Sequence, residues 1–307
     1  MVNPAFGGTL PTELLGNNWL YVNLNFLKKK AGHVKLKTKK YCIGTKQNQA
    51  YNYIMCLILI ATNYHPAYPL ILAANRDEFY DRPTERLAFW SDHPAVLAGR
   101  DRLAGGTWLG ITRCGRIGAI TNFRDPAAMD PGAPSRGSLV KDFLTGDREP
   151  EDFVAEKADL MARCNGFNLV MGNWRQLYFY SNREGQLRAL QPGIHGICNH
   201  LLNTPWPKVE RGKAALAARI GGKKIDHRDI LDLLADRTRP ADAHLPDTGV
   251  GLAWERRLSP IFIESENYGT RSSTVITVDD EKNARVTEQG YGPGSNGAVQ
   301  TVEFRIQ

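Results

Sequence analysis

The sequence predicts a layered α+β protein in which antiparallel sheets are covered by segregated helices. Three observations carry this. Two apolar runs, Cys56-Leu57-Ile58-Leu59-Ile60 and Leu70-Ile71-Leu72-Ala73-Ala74, are continuous rather than alternating, as in strands buried on both faces. Short strand-like segments recur at hairpin spacing. Helical periodicity is confined to three segments between groups of strands.

The elements follow in order. The two apolar runs are joined by a Pro- and Tyr-containing turn. Trp108-Leu109-Gly110-Ile111-Thr112 and Ile117-Gly118-Ala119-Ile120-Thr121 flank Arg113-Cys114-Gly115-Arg116 and read as a hairpin. Residues 151–163 are helical: Phe153, Lys157, Leu160 and Cys164 space one face, with Val154 and Met161 beside it. Four short strands follow, at 167–171, 177–180, 186–190 and 194–198. Helices are expected near 208–219 and 227–235, and strands at 273–278, 284–288 and 299–305. No repeat of fixed period interrupts this order.

Charge divides the chain at Met55. The first 54 residues hold eight lysines, no arginine and a single acid, Glu13, whereas residues 55–307 hold 31 basic and 31 acidic side chains. The net charge of +7 therefore belongs to the extension. A basic balance invites nucleic-acid or membrane partners, but the body is neutral, and no nucleic-acid partner is expected for it. The extension reads as translated sequence upstream of the natural start, a removable pro-segment, or a functional basic tail. The first is the expectation, with residues 55–307 as the domain. The extension lacks the arginine and serine of a transit peptide, and no secretory apolar region precedes Cys56. No apolar run reaches the ~18–20 residues that span a bilayer. A cytoplasmic protein without a transmembrane segment is expected. The cysteines of the body, Cys56, Cys114, Cys164 and Cys198, are scattered and form no C-x-x-C pair; they read as reduced thiols.

Polar residues recur where apolar strands end. Asn75-Arg76-Asp77-Glu78 closes the second run, as a solvated turn or as a site at the strand mouth. Asn122 and Asn199 each end a strand, where asparagine ordinarily serves turn chemistry. Arg271 opens a late strand and could be a surface arginine. Cys56 alone could be a small core residue. Strands of one sheet can present their ends to one cleft, so the recurrence points to a site. Cys56 also follows Met55 directly. Trimming of that methionine would place a thiol and a free α-amine on one residue, a nucleophile with its own base.

From Met55 on, the sequence resembles the NRDE proteins, also called the transport and Golgi organisation protein 2 family. The resemblance runs through Met55-Cys56-Leu57-Ile58, His65-Pro66-Ala67-Tyr68-Pro69, Ala73 to Phe79, Arg82-Pro83-Thr84, Gly99-Arg100-Asp101, Gly105-Gly106-Thr107-Trp108-Leu109-Gly110 and Thr121-Asn122. It continues in Ser135-Arg136-Gly137, Thr204-Pro205-Trp206-Pro207-Lys208, Leu245-Pro246-Asp247-Thr248-Gly249 and Tyr268 to Thr274. That family is similar in turn to N-terminal nucleophile hydrolases of the bile salt hydrolase and penicillin V acylase type. The resemblance implies a four-layer αββα sandwich of two antiparallel sheets. It implies hydrolysis of a linear non-peptide amide, with Cys56 as nucleophile and Arg76 as the arginine of the second strand. Asp77 or Glu78 would be the acid that accepts a proton from the α-amine, Asn122 the asparagine after the hairpin, Asn199 the oxyanion-hole amide, and Arg271 the late arginine near the thiol. The acid follows the arginine more closely here than in those hydrolases, which leaves the strand register open.

The family also implies a rival function, haem- or lipid-related trafficking by a binder on the same fold. The partner would then be haem rather than a small amide. His195, Cys198 and His200 could be metal or haem ligands, but strand alternation points His195 away from the other two. No C-x-x-C-H haem attachment exists, and the glycines of 99–110 lack the strand-to-helix context of a nucleotide cradle. No cofactor or metal is expected.

Overall fold

The computed structural model describes residues 19–30, 33–44, 55–292 and 297–307, with backbone alone for 19–44. The chain divides into two units, Met1–Tyr53 and Ile54–Gln307. In the first, β1 (Trp19–Lys30) and β2 (His33–Gly44) pair antiparallel from Trp19 opposite Gly44 to Lys30 opposite His33.

The second unit holds two antiparallel sheets. One contains β3 (Cys56–His65), β4 (Tyr68–Phe79), β12 (Gly193–Ile197), β13 (Tyr268–Val278), β14 (Asn283–Gly290) and β15 (Val299–Arg305), in the order β12-β3-β4-β13-β14-β15. The other contains β5 (Thr84–Phe89), β6 (Val96–Asp101), β7 (Leu109–Thr112), β8 (Arg116–Asn122), β9 (Phe167–Asn173), β10 (Leu177–Ser181) and β11 (Leu187–Ala189), ordered β11-β10-β9-β8-β7-β6-β5. Five α-helices occur among the described residues: α1 (Gly137–Thr145), α2 (Pro150–Arg163), α3 (Pro207–Arg219), α4 (His227–Leu234) and α5 (Leu252–Leu258). None is long and apolar enough to cross a membrane.

Side-chain parity builds the layers. Ile58, Ile60, Leu70 and Leu72 of the six-stranded sheet meet Leu97, Ile111, Ile117 and Val170 of the seven-stranded sheet in one core. The alternate residues of β3 and β4 face helices: Leu59 packs under Gly212 of α3, and Asn75 donates to the Leu234 carbonyl ending α4 at 2.8 Å. Both faces of β3 and β4 are thus covered, which explains their unbroken apolar runs. On the other side, Leu139, Val140 and Phe143 of α1 and Phe153 and Met161 of α2 cover Ile120, Leu169 and Met171. The result is the expected four-layer αββα sandwich.

Local chemistry sets the helix ends. Pro150 supplies a fixed φ at the start of α2, and Glu151 and Asp152 complement its dipole. Gly106 lies against the Gly137 backbone, where a Cβ would meet the Gly137 carbonyl at 2.4 Å, so the loop before β7 and the start of α1 can touch. The sequence reading missed α1, α5, β5 and β6. Each is short, and β5 is an edge strand with half of its residues exposed. It also ended β4 too early. Residues 75–78 are not a solvated turn: they continue the strand with exposures of 1, 5, 0 and 6 %. Arg271 likewise does not open a strand. It lies inside β13, where the register with β4 shifts between Thr270 and Ser272.

His227 at the start of α4 is clamped beneath the sheet. Its Nδ1 lies 2.8 Å from Thr287 Oγ1 and its Nε2 2.9 Å from Thr277 Oγ1. Burial, helped by the Arg285 charge, pushes its pKa from 6.5 down to about 4. The fold therefore favours the neutral ring. The stability it contributes is complete above the unfolded value of 6.5 and drains away as pH falls towards 4. Urea midpoints measured across that window should fall with pH, and less steeply in His227→Gln; equal slopes would count against this assignment.

Candidate active site

Cys56 opens β3, and its cross-strand partner on β4 is Arg76. Parity puts both side chains on the face of Ile58, Ile60, Leu72 and Ala74, at the mouth of the inter-sheet core, while Asp77 shares the helix-facing side with Asn75. β12 runs beside β3 with Ile197 opposite Ile58, which carries the chain on to Asn199. Asn199 Oδ1 accepts the Cys56 backbone N–H at 3.3 Å and the Cys198 thiol at 3.3 Å. Its Nδ2 donates to the Asn122 carbonyl at 3.0 Å, at the end of β8. Arg124 N–H donates to the Asn199 carbonyl at 2.7 Å. Asn199 therefore ties the two sheets together at the end where Cys56 emerges.

The two carboxylates part company. The Asp77 backbone N–H donates to the Met55 carbonyl at 3.1 Å, so Asp77 sits at the Met55–Cys56 peptide bond. Its Oδ1 accepts the Thr270 hydroxyl at 2.6 Å, and its buried Oδ2 has no hydrogen-bond partner among the described residues. Burial pushes its pKa up to about 6, opposed chiefly by the buried Lys208 ammonium. Lys208 Nζ donates to the Leu258 carbonyl at 2.8 Å. Glu78 turns instead to guanidiniums, with Arg76 and Arg82 each at 3.6 Å. Arg76 stacks over the Trp108 ring at 4.2 Å and donates to Thr84 Oγ1 at 3.3 Å.

The thiol is not poised as an anion while Met55 is attached. Burial and the Asp77 charge push its pKa up to about 12; the Asp77 N–H and Arg76 act the other way and are outweighed. Met55 is itself fixed. It is 1 % exposed, its N–H donates to the Tyr268 hydroxyl at 2.6 Å, and its sulfur contacts the Arg124 guanidinium.

Of the residues singled out in the sequence, Cys56, Arg76, Asp77, Asn122 and Asn199 come together at this end of the sandwich. Arg271 joins the edge of the group. Its guanidinium donates to the carbonyls of Phe79, at 2.9 Å, and Tyr80, and its charge acts on Arg76 and Glu78. His195 and His200 are engaged elsewhere, with the Gln191 carbonyl at 2.7 Å and Thr204 Oγ1 at 2.8 Å. Sequence reasoning missed the roles of Tyr268, Thr270, Arg124 and Lys208. Lys208 did carry a signal: it stands in the first turn of α3, where the helix dipole disfavours a cation.

Solved structures similar in fold include a Caenorhabditis elegans orthologue of N-acylethanolamine-hydrolyzing acid amidase. It is 12% identical, with a TM-score of 0.42, over 72% of this chain and 92% of that one. A variant of conjugated bile acid hydrolase from Clostridium perfringens is 9% identical, with a TM-score of 0.37, over 93% and 88% of the two chains. Among protein sequences, the mouse Transport and Golgi organization 2 homolog is 34% identical over 82% of this chain and 100% of its own length. The Drosophila melanogaster Transport and Golgi organization protein 2 is 30% identical over 76% and 92%. The model of the Transport and Golgi organisation 2 family matches residues 55–293. The chain belongs to that family.

Proposed function

We propose that residues 55–307 form a cysteine N-terminal nucleophile hydrolase that cleaves a linear, non-peptide amide once Cys56 is the first residue. Residues 1–54 lie outside that working unit, and the cytoplasm, where scattered thiols stay reduced, is its setting. The observation that carries the reading is Asp77 Oδ2, a buried carboxylate oxygen with no hydrogen-bond partner among the described residues, beside the Met55–Cys56 peptide. Such an atom is costly in a fold. An α-ammonium at Cys56 would supply the missing partner.

The chemistry then runs on groups already adjacent. The α-amine has an ordinary pKa near ~8 and the thiol near ~8.5. The amine takes the thiol proton as sulfur attacks the amide carbonyl, and the α-ammonium and Arg76 together offset the Asp77 charge that disfavours the thiolate. Asn199, braced on the Asn122 carbonyl, is the oxyanion donor; losing one such donor typically costs ~10²–10³ in rate. A C–S bond forms and the C–N bond breaks as the ammonium returns its proton to the leaving amine. Water then cleaves the thioester, releasing the acid and restoring the thiol.

The test compares a chain beginning at Cys56 with one that retains residues 54 and 55. Both should melt within a few degrees of the full chain. The first should hydrolyse a panel of N-acyl amides at least ~10²-fold faster, since an acylated nitrogen cannot act as the base. Equal rates, or haem binding unaffected by both trimming and Cys56→Ala in the absence of turnover, would replace the hydrolase with the binder.

A further inference from the structure

A recess of about 240 Å³ lies against Met55, walled by Trp206, Pro207, Leu245, Pro246 and Leu258. Pro207 opens α3 and Leu258 closes α5, so two helix ends frame it. Its aromatic wall is braced from behind. The Trp206 ring lies 5.8 Å from that of His200 and 5.0 Å from the Arg124 guanidinium, and Phe123 stacks 5.0 Å beyond His200.

The charges that line the recess are already matched. Arg124 pairs with Glu255 at 2.7 Å. Lys208 Nζ donates to the Leu258 carbonyl at 2.8 Å and the Pro260 carbonyl at 3.4 Å, and its field offsets that of Asp77. An ion entering here would meet no unanswered counter-charge. The lining suits an uncharged, largely apolar group with one or two polar contacts.

Met55 shows what such a group looks like. Its unbranched side chain is buried at the floor of the recess, with its sulfur on Arg124 Nη2. Its N–H meets the Tyr268 hydroxyl at 2.6 Å, and its carbonyl accepts the Asp77 N–H at 3.1 Å. Once Cys56 is the first residue, that floor empties. The recess gains the volume of a methionine side chain, and Arg124 Nη2 and the Tyr268 hydroxyl face into it without those contacts. Buried polar groups left this way are costly. The enlarged recess starts at the Cys56 nitrogen, which only Cα and Cβ separate from Sγ. A chain attached at the sulfur can therefore reach it past the α-amine.

We propose that the place vacated by Met55 is the acyl subsite, and that it takes an uncharged, unbranched acyl chain carrying a hydrogen-bond acceptor a few atoms from its carbonyl. The inference rests on reading Cys56 as the nucleophile of a chain freed of Met55. Arg124 reads the acceptor, and Trp206 and Leu245 read the length and width of the chain.

Acylation of Cys56 by p-nitrophenyl esters, in the chain beginning at residue 56, tests this. The thiol gives its proton to the α-amine, a C–S bond forms, the ester C–O bond breaks and p-nitrophenolate leaves as the coloured product. Relative to N-acetylcysteinamide, the rate constant should rise about threefold per methylene from acetate to hexanoate. The branched 3,3-dimethylbutanoate should fall below butanoate. 4-(Methylthio)butanoate, which matches hexanoate in length, should outrun it severalfold. Leu245→Trp should flatten the rise in a protein that still melts cooperatively. The double change Arg124→Met with Glu255→Leu should keep the rise and remove the thioether preference. 4-(Methylthio)butanamide should raise the melting temperature of the chain beginning at residue 56, but not of one retaining residues 54 and 55, in which Met55 fills the place. A rate independent of chain length, a rise that survives Leu245→Trp, or a melting shift shared by both chains overturns the proposal. Should no ester acylate Cys56, the nucleophile reading fails and the melting shift decides: confined to the trimmed chain it upholds the subsite, and absent it overturns it. A flat ester series beside active amide turnover would leave the hydrolase standing without this subsite.

Discussion

Cys56→Ala in a chain that starts at residue 56 should abolish N-acyl amide turnover, lowering it by at least ~10³-fold, while the melting temperature stays within a few degrees. The size of the effect follows from what is lost. The sulfur is the one protein atom that becomes bonded to the substrate carbon in the proposed reaction. Its removal deletes one heavy atom from a half-buried position at the mouth of the core, so little packing is sacrificed. The strand keeps its place through the Asn199 bond to the residue 56 nitrogen, which alanine retains. Cys56→Ser should keep a trace of activity, because a hydroxyl can still attack. Asp77→Asn should also be slow, for a different reason: the amide preserves the Thr270 contact but cannot balance an α-ammonium. Turnover surviving in Cys56→Ala at more than a few per cent would move the chemistry to another group.

How much of this was legible in the sequence can be traced residue by residue. The unbroken apolar run from Cys56 to Ile60 announced a strand covered on both sides, and the Ile58 and Leu59 environments bear that out. Residues 75–78 were harder. Polar side chains at the end of a strand look like a turn unless something distant receives them. Here Asn75 bonds the carbonyls of Leu234 and Ile261, and Asp77 bonds Thr270. Partners 159 to 193 residues away leave no local trace. The different surroundings of Asp77 and Glu78 needed the cross-strand register, which sets Arg76 opposite Cys56 and turns the next side chain to the other face. Arg271 was hidden by a bulge, since a single extra residue re-aims a side chain that alternation would place elsewhere. The short strands β5 and β6 and the seven-residue α5 lack the length for a clear period.

The buried Arg124–Glu255 pair should give the largest stability change. Arg124 Nη1 lies 2.7 Å from Glu255 Oε2 and 3.1 Å from Thr248 Oγ1, and its buried Nε has no hydrogen-bond partner among the described residues. Glu255 Oε1 accepts the Thr248 N–H at 3.0 Å and its hydroxyl at 2.5 Å. Both charged side chains are almost fully buried, at 2 and 4 % exposure. Removing one partner strands the other in a medium that cannot solvate it, which costs about 3–5 kcal/mol. At ~2–4 °C per kcal/mol for a domain of this size, Glu255→Ala should melt roughly 6–20 °C lower. Glu255→Gln should fall between, because it keeps acceptors but not charge. The double change Arg124→Met with Glu255→Leu should recover much of the loss, since neither charge is then buried. A Glu255→Ala protein melting within two degrees of the parent, as read by calorimetry, would show that water reaches the pair. The same pair bears on the site, because the Arg124 backbone holds the Asn199 carbonyl and its guanidinium rests against Met55 and, at 5.0 Å, Trp206. Loosening it should therefore slow Cys56 alkylation or turnover well below the melting temperature, whereas an equally destabilising change in the distant core between α1 and α2, such as Phe143→Ala, should not.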